Sequence, residues 1–447
     1  MCWMPTCPTM WWRRWWGKRS VASIQPPSGS CRRWRFMDGL CPPVAVDYLL
    51  QPYQTGFDSS GTLGRLVGMH FARREAGQYF WHPVDQAYAL DRIPKGEKTD
   101  RFERGTAQYT RYALYDRAAN YFAKSRKPRE EWKTIGDLAP QLAEIDLRIA
   151  GEDYDTAADV LTDIGYDYLL LWGQYKLMIA LHGRLQGKIT DKYLEANSLN
   201  NMALASNDIG QVRKAIEFYE AALPLVQELG EKQAEGALLG NLGLAYSDLG
   251  EIRKAITYHE QALQIDREIG DKRGEGALLG NLGLAYSDLG EIRKAITYYE
   301  QALQIDREIG DKRGEGIDLG NLGNRYAELG EPEKAISYYE QAFEIYRVIG
   351  DRDGERVNLG NLAERLIELG EYAKAIEHTL VAIRIGEEIG NPKGGSYGNQ
   401  RLASAHFYAG NLKAAQEAIS AARAYDVPEN NHNVHALVGV IAARLGE

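Results

Sequence analysis

Between residues 271 and 310 the apolar positions keep a helical rhythm, stop, and resume it. In "DKRGEGALLGNLGLAYSDL", residues 271–289, Leu278, Leu279, Leu282, Tyr286 and Leu289 step by three and four, the spacing that lines up one face of a helix. Asp271 stands where an N-cap belongs, and Gly290 where a left-handed residue ends the run. A second helix is predicted from about Glu291, with Ala295, Ile296, Tyr299, Ala302, Leu303 and Ile309 as its stripe and Gly310 as its stop. Asp311 then opens the next helix at once. Turns this short force neighbouring helices to run antiparallel.

The pattern returns in register. Residues 236–275 and 276–315 differ at one position in forty, His259 against Tyr299. The period extends upstream to about 196 and downstream through 316–355 and 356–395, with a shorter sixth unit from 396 to about 425. Fixed self-similarity of this length predicts a solenoid, in which each unit buries its apolar face only against its neighbours. Gly283, Ala295 and Ala302 remove bulk where two helices meet, and Tyr286 and Tyr299 are expected to fill the space between units. Gly276, Gly280 and Gly283 each cost roughly 1 kcal/mol of helix propensity against Ala, so close packing is expected at all three. The amphipathic stretch "HNVHALVGVIAARLG" within 426–447 is expected to cap the last unit.

These residues resemble the tetratricopeptide repeat. Its small-large-small signature is carried by Leu282, Gly283, Tyr286, Gly290, Ala295, Tyr299 and Ala302, and recurs from Leu242 to Ala262 and from Leu322 to Ala342. The forty-residue period and the triplet Leu-Gly-Asn, at 239–241, 279–281, 319–321 and 359–361, are similar to the units of kinesin light chains and of spindle-orientation adaptors. The first unit departs from the triplet with Leu199-Asn200-Asn201, and the last has Arg401 in the asparagine column. The resemblance implies a right-handed α-solenoid whose first helices line a concave face. In that register the wall is led by Asn201, Asn241, Asn281, Asn321, Asn361 and Arg401. One turn on stand Leu204, Leu244, Leu284, Asn324 and Glu364, then Asp248, Asp288, Glu328 and Glu368.

A row of amides offers donors and acceptors to the backbone of an extended peptide whatever its side chains. In the families resembled, asparagines of this column do that. The leucines would grip apolar side chains, and the acidic column would favour basic ones. The same asparagines could instead bond between adjacent first helices and hold the pitch, and both readings stand at this point. Two nearly identical units also share every residue by duplication, useful or not.

Residues 44–95 follow another pattern. "VAVDYLLQPY" and "SSGTLGRLVGMHFARREA" suggest short helices, and "GQYFWHPVDQAYALDRIP" an alternating aromatic strand followed by a His-Pro turn into a helix. This order resembles a winged helix, and the last tract resembles the end of the switch module in signal-transduction ATPases with numerous domains. That resemblance implies that His82, after the wing, senses bound nucleotide, and that an ATPase module acts in trans. Trp81, Pro83 and Asp85 depart from the family's usual neighbours. No Gly-x-x-x-x-Gly-Lys-Ser/Thr occurs in the chain, so nucleotide hydrolysis by it alone is not expected. Residues 96–195 read as a helical linker with a degenerate repeat, in which Gly151 and Ala157 imitate the turn and the small position.

Composition narrows the function further. The net charge is -9 over 447 residues, and each of the two duplicated units has seven acids against five bases. A nucleic-acid track is therefore not expected. No run of eighteen apolar residues suggests a membrane span. Residues 1–43 hold all four cysteines and six of the nine tryptophans and are expected to be a disordered leader. Cysteine-free sequence beyond it suits a reducing cytosol. No motif calls for a metal, a cofactor or a catalytic nucleophile, and lone His259 reads as a packing substitute for tyrosine. The expectation is a cytoplasmic, non-catalytic interaction scaffold, mostly α, with a winged-helix-like front, a linker, an array over 196–425 and a cap.

Overall fold

The computed structural model describes residues 43–51, 58–68, 72–75, 78–81, 91, 93–100 and 109–425, with isolated positions at 438, 440, 443 and 444. The expected leader, His82 and nearly all of the expected C-terminal cap lie outside these residues. The chain divides into two compact units, one ending at Asp153 and the other beginning at Tyr154.

The first unit contains helices α1 (Pro43–Leu50) and α2 (Ser59–Gly68), an antiparallel ribbon of β1 (Ala72–Glu75) and β2 (Gln78–Trp81), and helices α3 (Arg111–Lys124) and α4 (Ala139–Ala150). Two helices come before the strands as expected, and β2 falls on the aromatic tract, but β1 occupies Ala72–Glu75, in a stretch the sequence pattern had read as helix. Two arginines tie the helices together. Buried Arg117 donates to the Tyr48 carbonyl at 2.8 Å and lies 4.2 Å over its ring. Arg148 donates to Asp116 at 2.6 Å, Asn120 at 2.8 Å and Asp153 at 3.1 Å, so its buried charge is paired and bonded, as burial requires. The left-handed residue after α4 is Glu152, at φ +54°, while the expected Gly151 has φ −83°.

The second unit begins with α5 (Tyr154–Ile164), a π-helical turn at Gly165–Leu170 and α6 (Tyr175–Leu185). Six helix pairs follow: α7 (Lys192–Asp208) with α8 (Val212–Leu229), α9 (Lys232–Asp248) with α10 (Ile252–Ile269), and α11 (Lys272–Asp288) with α12 (Ile292–Ile309). Then come α13 (Lys312–Glu328) with α14 (Pro332–Ile349), α15 (Arg352–Glu368) with α16 (Tyr372–Glu388), and α17 (Pro392–Tyr408) with the shorter α18 (Leu412–Ala424). First helices start forty residues apart, four residues before the unit boundaries read from the repeat.

The stop and start signals act as expected. Asp271 accepts from the Gly274 N–H at 2.9 Å, and Gly290 and Gly310 take φ of +76° and +75°. Packing inside a pair explains the small position. A Cβ on Gly283 would come within 2.8 Å of the Tyr299 ring, so the side chain of one helix fills the notch of the other. Gly280 differs from the expectation: the closest contact a Cβ would make there is 3.8 Å, so no close approach demands glycine. Tyr286 lies flat on Tyr298 of its own pair at 5.2 Å and, between pairs, donates to Glu260 of the preceding one at 3.3 Å. The continuous core runs through Leu279, Leu282, Ile296, Tyr299, Leu303, Leu319 and Leu322.

Candidate docking surface

The array curves toward its first helices. Consecutive first helices bond directly, Asn361 Nδ2 to Asn324 Oδ1 at 3.4 Å and Arg401 Nε to Glu364 Oε1 at 2.6 Å. Consecutive second helices instead splay apart, leaving a groove of about 630 Å³ between α10 and α12 and one of about 810 Å³ between α12 and α14. Helices close on one side and open on the other make a bend whose inner wall is built from α7, α9, α11, α13, α15 and α17.

On that wall the asparagine column divides in two. Asn201 is only 5% exposed, and Gly165 of the π-helical turn lies against its amide, so the first rung is covered. Asn241, Asn281 and Asn321 are half-buried, and none of them hydrogen-bonds to another described group. Asn361 is engaged by Asn324, whose oxygen also accepts from the Tyr339 hydroxyl at 2.7 Å. Leu244 and Leu284 are 43% and 52% exposed. Glu364 and Arg401 are taken up by each other, with Arg365 also 3.5 Å from Glu364.

The reason for the division is an offset of one helical turn. The bonded pairs 324–361 and 364–401 are separated by thirty-seven residues, not forty. A side chain one turn past the asparagine column therefore meets the asparagine column of the next helix. In the earlier units the equivalent partners of Asn241, Asn281 and Asn321 are Leu204, Leu244 and Leu284. Leucine offers no donor or acceptor. Three half-buried amides are left without a hydrogen-bond partner among the described residues.

Other wall residues were not singled out by sequence. Ile317 and Val357 expose aliphatic side chains two turns N-terminal to the column of Leu284. Arg325 and Arg365 bind Glu328 and Glu368 at 2.8 Å and 2.9 Å. Their signal was available in the unit alignment, where Ala277 and Ala285 of the duplicated unit give way to Ile317 and Arg325.

Beneath the wall lie buried ionisable groups. Asp318 replaces the leucines at 238 and 278; burial and the nearby Asp306 push its carboxyl up to about 8, and its Oδ2 has no partner. Burial likewise pushes Asp266 and Asp306 up to about 6. His259 lies against Gly243, where tyrosines stand in the next two units, and burial lowers its imidazole to about 4. Among the described residues no three His, Cys, Asp or Glu side chains gather as a metal site. No described helix is long and apolar enough to cross a membrane.

The tetratricopeptide repeat family model matches at 194–268, 235–308, 274–348 and 317–388. No curated protein matches the chain. Among solved structures, a signal transduction ATPase with numerous domains carrying a tetratricopeptide repeat sensor, from Pyrococcus horikoshii, is similar at 18% identity with a TM-score of 0.52. The match covers 91% of this chain and 58% of that one. The apo form of RapI is similar at 16% identity with a TM-score of 0.50, over 68% of this chain and 81% of that one. At such identities the likeness is one of fold.

Proposed function

We propose that this chain, whose residues 194–388 are tetratricopeptide repeats, is a non-catalytic docking scaffold that holds an extended segment of a partner protein in its concave groove. The observation that carries this reading is the row Asn241, Asn281 and Asn321, half-buried amides with no partner among the described residues. An amide free of protein partners can exchange its water for a peptide backbone, which supplies a donor and an acceptor to each rung. Leu244 and Leu284 add apolar contact. Asn361, Asn324, Glu364 and Arg401 serve chiefly as wall structure, since each already has a partner.

The test is selection of a random dodecapeptide phage library on the full chain, then affinity measurement by fluorescence polarisation. Peptides bound by the wild type should bind at least tenfold more weakly to Asn281→Ala/Asn321→Ala. Helicity and melting of that variant should be nearly unchanged. Equal losses of folding and binding would mean that the asparagines are structural.

A second reading is favoured by the likeness to the sensor-bearing ATPase over 91% of this chain. In it the repeats are the sensor part of a nucleotide switch, residues 44–95 form a winged helix, and His82 reports nucleotide held by an ATPase module on another chain. The two readings part at the front: deleting 44–95 leaves peptide affinity intact under the first, and uncouples the groove from an ATPase under the second.

A further inference from the structure

The uncompensated charge of the inner wall is confined to its first three units. From Tyr193 to Asp208, from Gln233 to Asp248 and from Gly274 to Asp288 the first helices carry no Lys or Arg. The lysines at their starts, Lys192, Lys232 and Lys272, are held by Glu228, Glu235 and Glu275. Each helix ends in an exposed aspartate. Asp208 and Asp288 bond to no described group, and Asp248 meets only the Asn207 amide at 3.5 Å. In the fourth and fifth units the same column is Glu328 and Glu368, already neutralised by Arg325 and Arg365.

The apolar track is equally uneven. Leu244 and Leu284 stand one turn before Asp248 and Asp288, whereas the next exposed aliphatics, Ile317 and Val357, sit seven residues nearer the start of their helices. Seven residues at 1.5 Å each displace the track by about 10 Å along the helix axis. It therefore crosses the wall obliquely, beside free carboxylates in the first three units and away from the neutralised ones beyond.

On the reading of the groove proposed above, we infer that the occupant is a basic, aliphatic-toothed segment whose Lys or Arg side chains lie against Asp208, Asp248 and Asp288. Its apolar side chains follow Leu244, Leu284, Ile317 and Val357, and its backbone meets the three unbonded asparagines. An acidic segment or a nucleic acid would face Asp208 and Asp248, opposite which the next first helix carries only Ala245 and Ala285, while Asp288 has Arg325 thirty-seven residues on, and it is disfavoured by those carboxylates.

The phage selection on the full chain reads this directly. Enriched dodecapeptides should place Lys or Arg beside Leu, Ile, Val or Met at several times the library frequency. Charge reversal in Asp248→Lys/Asp288→Lys should weaken a selected peptide at least tenfold, and raising salt should weaken the wild-type complex. Neutralising the paired acids in Glu328→Gln/Glu368→Gln should change affinity by about twofold or less. Circular dichroism checks that each variant keeps wild-type helicity. Enriched peptides that are acidic or uncharged, yet still need Asn281 and Asn321, would overturn the basic occupant and leave the groove standing. Selection with no dependence on those asparagines would overturn both.

Discussion

Replacing Asp318 should stabilise the array and remove part of its pH dependence. The carboxyl is 4% exposed at a position held by leucine in the two preceding units, and its Oδ2 is unbonded. Its pKa is raised from 3.8 to about 8, so the folded state keeps a proton that the unfolded chain releases above about pH 4. Stability is then fully present below pH 4 and is lost as pH rises toward 8. At 1.36 kcal/mol per pKa unit, the loss between pH 5 and pH 8 is on the order of 4 kcal/mol. The groups facing it do not offset this: Asp306 is also acidic, and Tyr299 and Tyr346 are neutral in this range. Asp318→Asn is the clean control, because Asn358 occupies the same column one unit later and donates to the Gly354 carbonyl at 3.0 Å. Urea unfolding of the full chain, followed by helicity at pH 5 and pH 8, should show the variant gaining on the wild type as pH rises. Titration of Asp266 and His259 is common to both proteins and cancels in the difference, while Asp306, which acts on Asp318, belongs to the same coupled response. Asp318→Leu should add about 1.5–3 kcal/mol for a buried leucine. A gap between wild type and Asn variant that stays constant from pH 5 to pH 8 would refute the reasoning.

Three further outcomes follow from the packing. His259→Tyr restores the residue of the next two units. Because burial lowers the imidazole from 6.5 to about 4, the wild type loses stability as pH falls through this window, by about 3 kcal/mol in full, and the tyrosine variant should lose correspondingly less in melts at pH 7 and pH 4.5. Gly280→Ala should raise the melting temperature, by up to about 1 kcal/mol of helix propensity, whereas Gly283→Ala should lower it by 1 kcal/mol or more, since its methyl meets the Tyr299 ring at 2.8 Å. Leu284→Asn places an amide where Asn324 stands one unit later; it should engage Asn321, leave the melt within a degree or two, and reduce the affinity of selected peptides. Unchanged affinity would show that Asn321 is not used.

The helices were legible because their determinants are local. Apolar steps of three and four, Asp271 at a start and glycine at a stop need no knowledge of distant residues, and each falls where expected. Glycine identity was less informative. Gly280 and Gly283 are equally invariant across the duplicated units, yet only Gly283 lies under a ring, and the identity of two copies does not report what each copy touches. The turn after α4 carries the same lesson, its strained residue being Glu152 beside an unstrained glycine.

The site was legible as a set of columns and not as a set of contacts. Columns in an alignment join residues forty apart, whereas the inner wall joins residues thirty-seven apart, because neighbouring first helices are staggered by one turn. Whether an asparagine is free therefore depends on a different column of the unit before it. Leu204, Leu244 and Leu284 leave three amides unbonded; Asn324 and Glu364 close the later positions. The change from leucine to a polar partner coincides with the arrival of Arg325 and Arg365, which neutralise the acidic column at the same units. Unbonded amides, exposed leucines and unpaired carboxylates thus overlap in the second and third units, and on the docking function proposed above the occupant would lie against α9, α11 and the facing part of α13.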